Sequence, residues 1–195
     1  MSTSGQQLAV VILAAGESRR LGQPKQLLIV DGLPLIRRSI HLAIAAACGP
    51  VHVVLGAHRE QIEPVLVGEP IRVVAAANWR SGMAASLRAG IDSLPAGSAG
   101  ALVMLADQIG LTIDSLRRLQ RAWQTDTQAI VASQYAGTSG VPTIFPARVY
   151  PQLMSLRGER GAQFLTQEDP RLIAVPLPEA EEDLDRPVDL QHLRY

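Results

Sequence analysis

The sequence predicts an α/β fold in which a mostly parallel sheet is covered by helices on both faces. Three observations predict it. Short apolar runs recur along the chain, stretches of helical period lie between them, and 195 residues suffice for one substantial core while being few for two. Near-continuous apolar strands are buried on both sides, and their alternation with helices builds parallel strand-helix-strand units. A single domain over 1–195 is expected.

In chain order, "LAVVIL" (8–13) predicts the first strand. A helical period over Pro34–Cys48 leads to "VHVVL" (51–55), and another over Arg59–Val67 leads to "IRVVAA" (71–76). Met83–Leu94 predicts a third helix, before the strand "ALVMLA" (101–106). Ile113–Thr125 predicts a fourth, with Thr112 as its N-cap. "AIVAS" (129–133) and "RLIAVPL" (171–177) complete the strands, and "PVDL" (187–190) opens a short last helix with Pro187 in its first turn. In such sheets ligands bind beyond the carboxyl ends of the strands, so chemistry is expected in the loops after Leu13, Leu55 and Ala106.

Eighteen basic residues balance eighteen acidic ones. That balance excludes the broad positive field of a general nucleic-acid binder and a polybasic membrane surface, so any charge-based function is local. The lone Cys48 forms no internal disulfide and is read as a small buried apolar residue. The four histidines show no paired metal-ligand spacing on a helix. "MSTSGQQ" lacks a positive leader segment, and the apolar run Leu8–Ala15 is too short to cross a bilayer, so a reducing cytoplasmic setting is expected.

The loop after the first strand, "AAGESRRLGQPK", concentrates Arg19, Arg20 and Lys25 against Glu17 alone. Gly16 and Gly22 bracket it and let the backbone approach a ligand with its amides turned to phosphate oxygens. The dinucleotide fingerprint GxGxxG is absent, and the P-loop pattern fails because Gln23 follows the second glycine. Arginine suits bidentate phosphate contact, and lysine supplies a compact charge that follows a reacting oxygen. "GESRR" lacks the second glycine of a serine-hydrolase elbow, which leaves Ser18 to bond backbone or phosphate.

Leu13-Ala-Ala-Gly-Glu-Ser-Arg-Arg-Leu-Gly-Gln-Pro-Lys25 resembles the LAAGxSxRMGxxK signature of nucleotidyltransferases similar to the molybdenum cofactor cytidylyltransferase and its guanylyltransferase cousin (MobA/MocA-type), with Leu21 in place of Met. The resemblance implies a three-layer α/β/α, Rossmann-like fold with a mostly parallel mixed sheet of the nucleotide-diphospho-sugar transferase type. It assigns the nucleotide to Leu13, Ala14, Ala15, Gly16 and Ser18, and the triphosphate to Arg20 and Lys25. The "AA" of the turn is similar to the cytidylyl branch. "NWRSGMAASLRAG" (78–90) resembles the family's GMxxSLxxG stretch and adds Gly82 and Ser86 to the nucleoside site.

"VMLADQ" (103–108) puts Asp107 at a strand's carboxyl edge, where a carboxylate can bind a divalent ion bridging phosphates, although an aspartate after a strand is also a frequent turn residue and position alone favours that role. The family's strand-end DQP resembles Asp107-Gln108-Ile109, and its DIDTPEDL segment resembles "EEDLDRPVDL" (181–190). The resemblance thereby implies Mg²⁺ or Mn²⁺ held by Asp107 and Asp185, with Asp183 behind. Residues 137–165 resemble the acceptor-side segment, but the His of many members is missing before Pro142, and Glu159 and Gln163 stand in place of Asp and Arg. The implied reaction is transfer of CMP from CTP to molybdopterin or its molybdenum-loaded form. Its partners are those substrates and a molybdenum hydroxylase or its maturation factor, with neither nucleic acid nor membrane involved. Two alternatives stand beside it: a sugar- or polyol-phosphate nucleotidylyltransferase, since fold and opening loop are shared, and a maturation factor that binds cofactor without turnover.

Overall fold

The computed structural model describes residues 7–19, 21–159 and 161–183. The chain forms β1 (Leu8–Ala14), a small hairpin of β2 (Ile29–Val30) and β3 (Leu33–Pro34), α1 (Leu35–Ala46), β4 (Val51–Leu55), α2 (Arg59–Ile62), β5 (Ile71–Ala75), α3 (Met83–Asp92), β6 (Gly100–Leu105), α4 (Ile113–Thr125), β7 (Val131–Tyr135), β8 (Thr138–Pro146), α5 (Tyr150–Ser155), α6 (Gln163–Glu168) and β9 (Ile173–Pro176). A seven-stranded sheet runs in the order β5-β4-β1-β6-β8-β7-β9. All its pairings are parallel except those of β8, which runs against both β6 and β7. The sheet is therefore mixed and mostly parallel, the class the sequence predicts.

β1 shows why its sequence reads as an unbroken apolar run. Alternate side chains point to opposite faces of a strand. Val10 and Ile12 join one core with Ile36 and Ile40 of α1 and Leu116 and Leu119 of α4. Val11 and Leu13 join a second core with Leu87 and Ile91 of α3 and Leu153 of α5. Both faces are covered, so neither position has reason to be polar. α4 begins where Thr112 Oγ1 accepts from Ser115 N at 3.1 Å and Ser115 Oγ accepts from Thr112 N at 3.2 Å. This capping box satisfies two otherwise orphaned amides, and losing such a cap costs about 1 kcal/mol.

The sequence reading does not include the β2–β3 hairpin, α5 or α6, and three further elements depart from it. The second helix stops at Ile62, short of Val67, and continues as a 3₁₀ turn over Glu63–Leu66 with Pro64 in its first turn. β7 lies two residues later than expected. β8, the longest strand, was not expected at all, since Gly140 and Pro142 argue against a strand interior. The structure accommodates Pro142 through a register shift: Ala132 faces Thr143, but the next residue, Ser133, faces Gly140. Val141 and Pro142 are thus bulged out of the β7 ladder, where no amide is required of the proline. Side chains satisfy the freed carbonyls: Ser133 Oγ donates to Pro142 O at 2.7 Å and Gln108 Nε2 to Val141 O at 2.8 Å.

Cys48 is buried, and its thiol is pushed up to about 11 by burial, with Arg117 pulling the other way. Among the described residues no helix is long and apolar enough to cross a membrane. The short helix expected from Pro187 lies outside them.

Candidate functional site

β1 and β6 run side by side in parallel, so their carboxyl ends deliver the Ala14–Ser18 turn and Asp107 to the same edge of the sheet. Beyond that edge opens a cleft of about 740 Å³. Leu13, Ala14, Ala15, Gly16, Ser18, Lys25, Gly82, Ser86 and Asp107 all border it. Arg20 and Asp185 lie outside the described residues.

The floor of the cleft is an ion pair across 82 residues of chain: Lys25 Nζ donates to Asp107 Oδ2. The lysine and aspartate side chains are only 17% and 10% exposed, so the pair is shielded from the screening that weakens surface salt bridges. Lys25 is steered there locally, because its amide donates to Ser18 Oγ at 3.2 Å and folds the loop back on itself. The other carboxylate oxygen, Asp107 Oδ1, is buried and accepts no hydrogen bond among the described residues. An ionised oxygen held in that state suits a cation ligand.

Gln108 brings the C-terminal acidic segment to this edge. Its Oε1 accepts from Leu105 N at 3.3 Å, and its Nε2 donates both to Val141 O and, at 3.0 Å, to Ala180 O. Ile109 N donates to Glu182 O at 2.9 Å, and Gln108 and Asp183 face each other as an isolated antiparallel bridge. Asp183 is thereby set opposite the neighbour of Asp107. Tyr135 feels the resulting field: burial first, then the charges of Asp183, Asp107 and Glu181, raise its phenol above the ordinary tyrosine range. Mg²⁺ and Mn²⁺ take one or two protein carboxylates together with substrate phosphates, so this donor set fits such an ion.

The opposite wall is built from α3 and the loop before it. Gly82 has φ +100°, and a Cβ there would lie 2.4 Å from Gly158 O, while Ala84 N donates to that same oxygen at 3.1 Å. The loop at Gly158 is therefore docked on the start of α3, and Glu159 beside it borders the cleft. Trp79 packs against Gly56 and Ala15, where a Cβ on Gly56 would come within 2.7 Å of the Trp79 side chain and 2.8 Å of the Ala15 methyl. Arg80 lies over the indole, 4.7 Å from its centroid, a cation–π contact on the cleft wall. The sequence assigns no role to Gln26 or Gln108. The available signal was position, since each glutamine directly follows a residue of the charged pair.

A mostly parallel, helix-flanked sheet with its cleft beyond the carboxyl ends of the strands defines the class of α/β nucleotide-binding proteins. Within that class the MobA-like NTP transferase domain matches residues 10–172, and the chain belongs to this family of nucleotidyltransferases. It is 32% identical over 170 residues to nicotine blue oxidoreductase of Paenarthrobacter nicotinovorans, covering 84% of this chain and 83% of that protein. Rv0371c from Mycobacterium tuberculosis H37Rv superposes with a TM-score of 0.84 at 28% identity, over 98% of each chain. A structure of that protein in complex with manganese superposes with a TM-score of 0.77 at 25% identity, over 96% of this chain and 97% of the other.

Proposed function

We propose that this chain, acting as a single domain in the cytoplasm, transfers CMP from CTP to a phosphate-bearing acceptor, molybdopterin or its molybdenum-loaded form, and releases pyrophosphate. The observation that supports this most is the shielded Lys25–Asp107 pair beside the small-residue turn, with the second acidic segment anchored next to it through Gln108. An acceptor phosphate oxygen forms a bond to the α-phosphorus of CTP while the bond to the bridging oxygen breaks. Such transfers need little covalent help, so positioning and charge neutralisation supply most of the rate.

The amides of the Ala14–Ser18 turn receive the phosphates. Ser86 and the backbone at Gly82 hold the nucleoside against the wall carrying Trp79. Lys25 follows the charge that grows on the α-phosphate, and Arg20 neutralises the leaving pyrophosphate. Asp107 through Oδ1, with Asp185 or Asp183, would hold Mg²⁺ or Mn²⁺, which when bound neutralises phosphate charge and fixes the oxygens in line. The alanine pair of the turn, similar to the cytidylyl branch, supports CTP as the donor. A molybdenum hydroxylase or its maturation factor is the proposed recipient of the product. The manganese complex of the mycobacterial relative supports a divalent ion in this fold.

A second reading follows from the name of the oxidoreductase relative: the same cleft would hold a redox dinucleotide by its pyrophosphate and serve a reduction. Hydride transfer has no need of a lysine paired with a cation-ready carboxylate, which favours the transferase. One experiment separates them. Purified protein is mixed with each of the four nucleoside triphosphates, Mg²⁺ and molybdopterin and assayed for pyrophosphate and dinucleotide product by mass spectrometry, while parallel samples follow oxidation of NADH and NADPH. Metal-dependent pyrophosphate release supports the transferase; its absence with any of the four triphosphates, alongside oxidation of a reduced dinucleotide, overturns it.

A further inference from the structure

Gln26 is 2% exposed, yet it borders the cleft. Its Nε2 donates to Ala14 O at 3.0 Å and to Gly16 O at 3.1 Å, so one amide group spans both ends of the opening turn. The carbonyl between them, Ala15 O, accepts from Ala57 N at 3.0 Å. Three successive carbonyl oxygens are therefore held by donors from elsewhere in the chain. Among the described residues, the amides of Gly16 and Glu17 donate to no carbonyl. A turn whose oxygens are tied back and whose N–H groups are left over is electrostatically ready for an anion. The same turn with its oxygens loose would repel a triphosphate.

The remaining atom makes the case stronger. Gln26 Oε1 is buried and accepts no hydrogen bond among the described residues. A buried, unpaired amide oxygen is costly, and a glutamine kept only for stability would not be expected to bear that cost. We propose that Gln26 is a positioning residue for the nucleotide, one that holds the carbonyls of Ala14 and Gly16 out of the path of the triphosphate. The proposal rests on the transferase reading insofar as the cleft binds a nucleoside triphosphate.

The test compares wild type with Gln26→Met, which keeps the length of the side chain and removes the donor, and with Ser133→Ala. Ser133 Oγ makes an equally buried bond, to Pro142 O, away from the cleft. Calorimetric titration with CTP in Mg²⁺, well below the melting temperature of every variant, reads the affinity. Q26M is expected to bind CTP at least about tenfold more weakly, while S133A lowers the melting temperature and leaves the affinity at the wild-type value. If Q26M fails to fold, Gln26→Glu at neutral pH carries the same expectation, since an ionised carboxylate has no donor to offer. Wild-type affinity in Q26M, or equal losses in Q26M and S133A, overturns the proposal. A wild-type protein that binds none of the four triphosphates is a different failure: it removes the transferase reading and takes this inference with it.

Discussion

Replacing Gln108 by Leu tests whether one amide side chain holds the two acidic segments together. The substitution strips partners from Leu105 N, Val141 O and Ala180 O. Each buried backbone group left unpaired costs about 1–3 kcal/mol, and the leucine regains part of that through apolar burial, so a net loss of about 3 kcal/mol is expected. For a chain of this size each kcal/mol lowers the melting temperature by about 2–4 °C, which gives a drop of about 6–12 °C. The loss is expected to be local in origin. Hydrogen exchange, followed by mass spectrometry on short peptides, is expected to quicken at Ile109, whose amide donates to Glu182 O, while the interior of β6 stays protected. A Q108L protein that melts with the wild type, or whose exchange rises evenly over the sheet, would refute the hub.

Lys25→Met leaves the Asp107 carboxylate shielded without its ammonium partner. Turnover is expected to fall about 10²–10³-fold, the scale of one lost preorganised electrostatic donor, as read by pyrophosphate release. Urea denaturation is expected to show that the double variant K25M/D107N is more stable than K25M, because the unpaired charge is gone. Gly82→Ala forces a Cβ to within 2.4 Å of Gly158 O at a backbone φ of +100°, and is expected to cost about 2 kcal/mol or more, whereas a Cβ on Gly16 meets nothing within 4 Å and Gly16→Ala is expected to leave the melting temperature unchanged. His52 is buried on β4, and because the Ser93 hydroxyl gives its hydrogen to Gly90 O, His52 Nδ1 is the donor in its 2.8 Å bond to Ser93 Oγ. Burial, then the charge of Arg72, lowers its pKa from 6.5, so the unfolded chain takes up the proton first and stability falls as the pH drops below about 6.5. His52→Gln is expected to flatten that part of the curve; an unchanged difference between urea midpoints at pH 7 and pH 5 counts against this assignment.

Legibility in the sequence followed how local the determinants were. The bounds of α4 could be read directly because its cap is a three-residue matter between Thr112 and Ser115. β1, β4 and β6 were legible because central parallel strands have no polar face, while β5, at the sheet's edge and only partly buried, was legible from its β-branched run. β8 was hidden because its Pro142 is tolerated only through a bulge that β7, Gln108 and Ser133 make together. Pro64 explains the early end of α2: it sits where a longer α-helix would need its amide. In the site, the described residues with a recognisable spacing border one cleft, Arg20 and Asp185 lying outside the described residues, while Gln26 and Gln108 passed without a role. A glutamine's importance lies in which distant carbonyls it reaches, and spacing along the chain does not reveal that.

The reversed strand β8 divides the sheet's labour. On one side of it β5, β4, β1 and β6 present the turn, Lys25 and Asp107; on the other, β7 and β9 belong to the half that supplies residues 137–183. Among the described residues the two halves share one strand ladder, β6 with β8, and the isolated Gln108–Asp183 bridge. A change on the β7–β9 side can therefore reach the Lys25–Asp107 pair along the β6–β8 ladder and the Gln108–Asp183 bridge, so neither half of the sheet is rebuilt in isolation from the other.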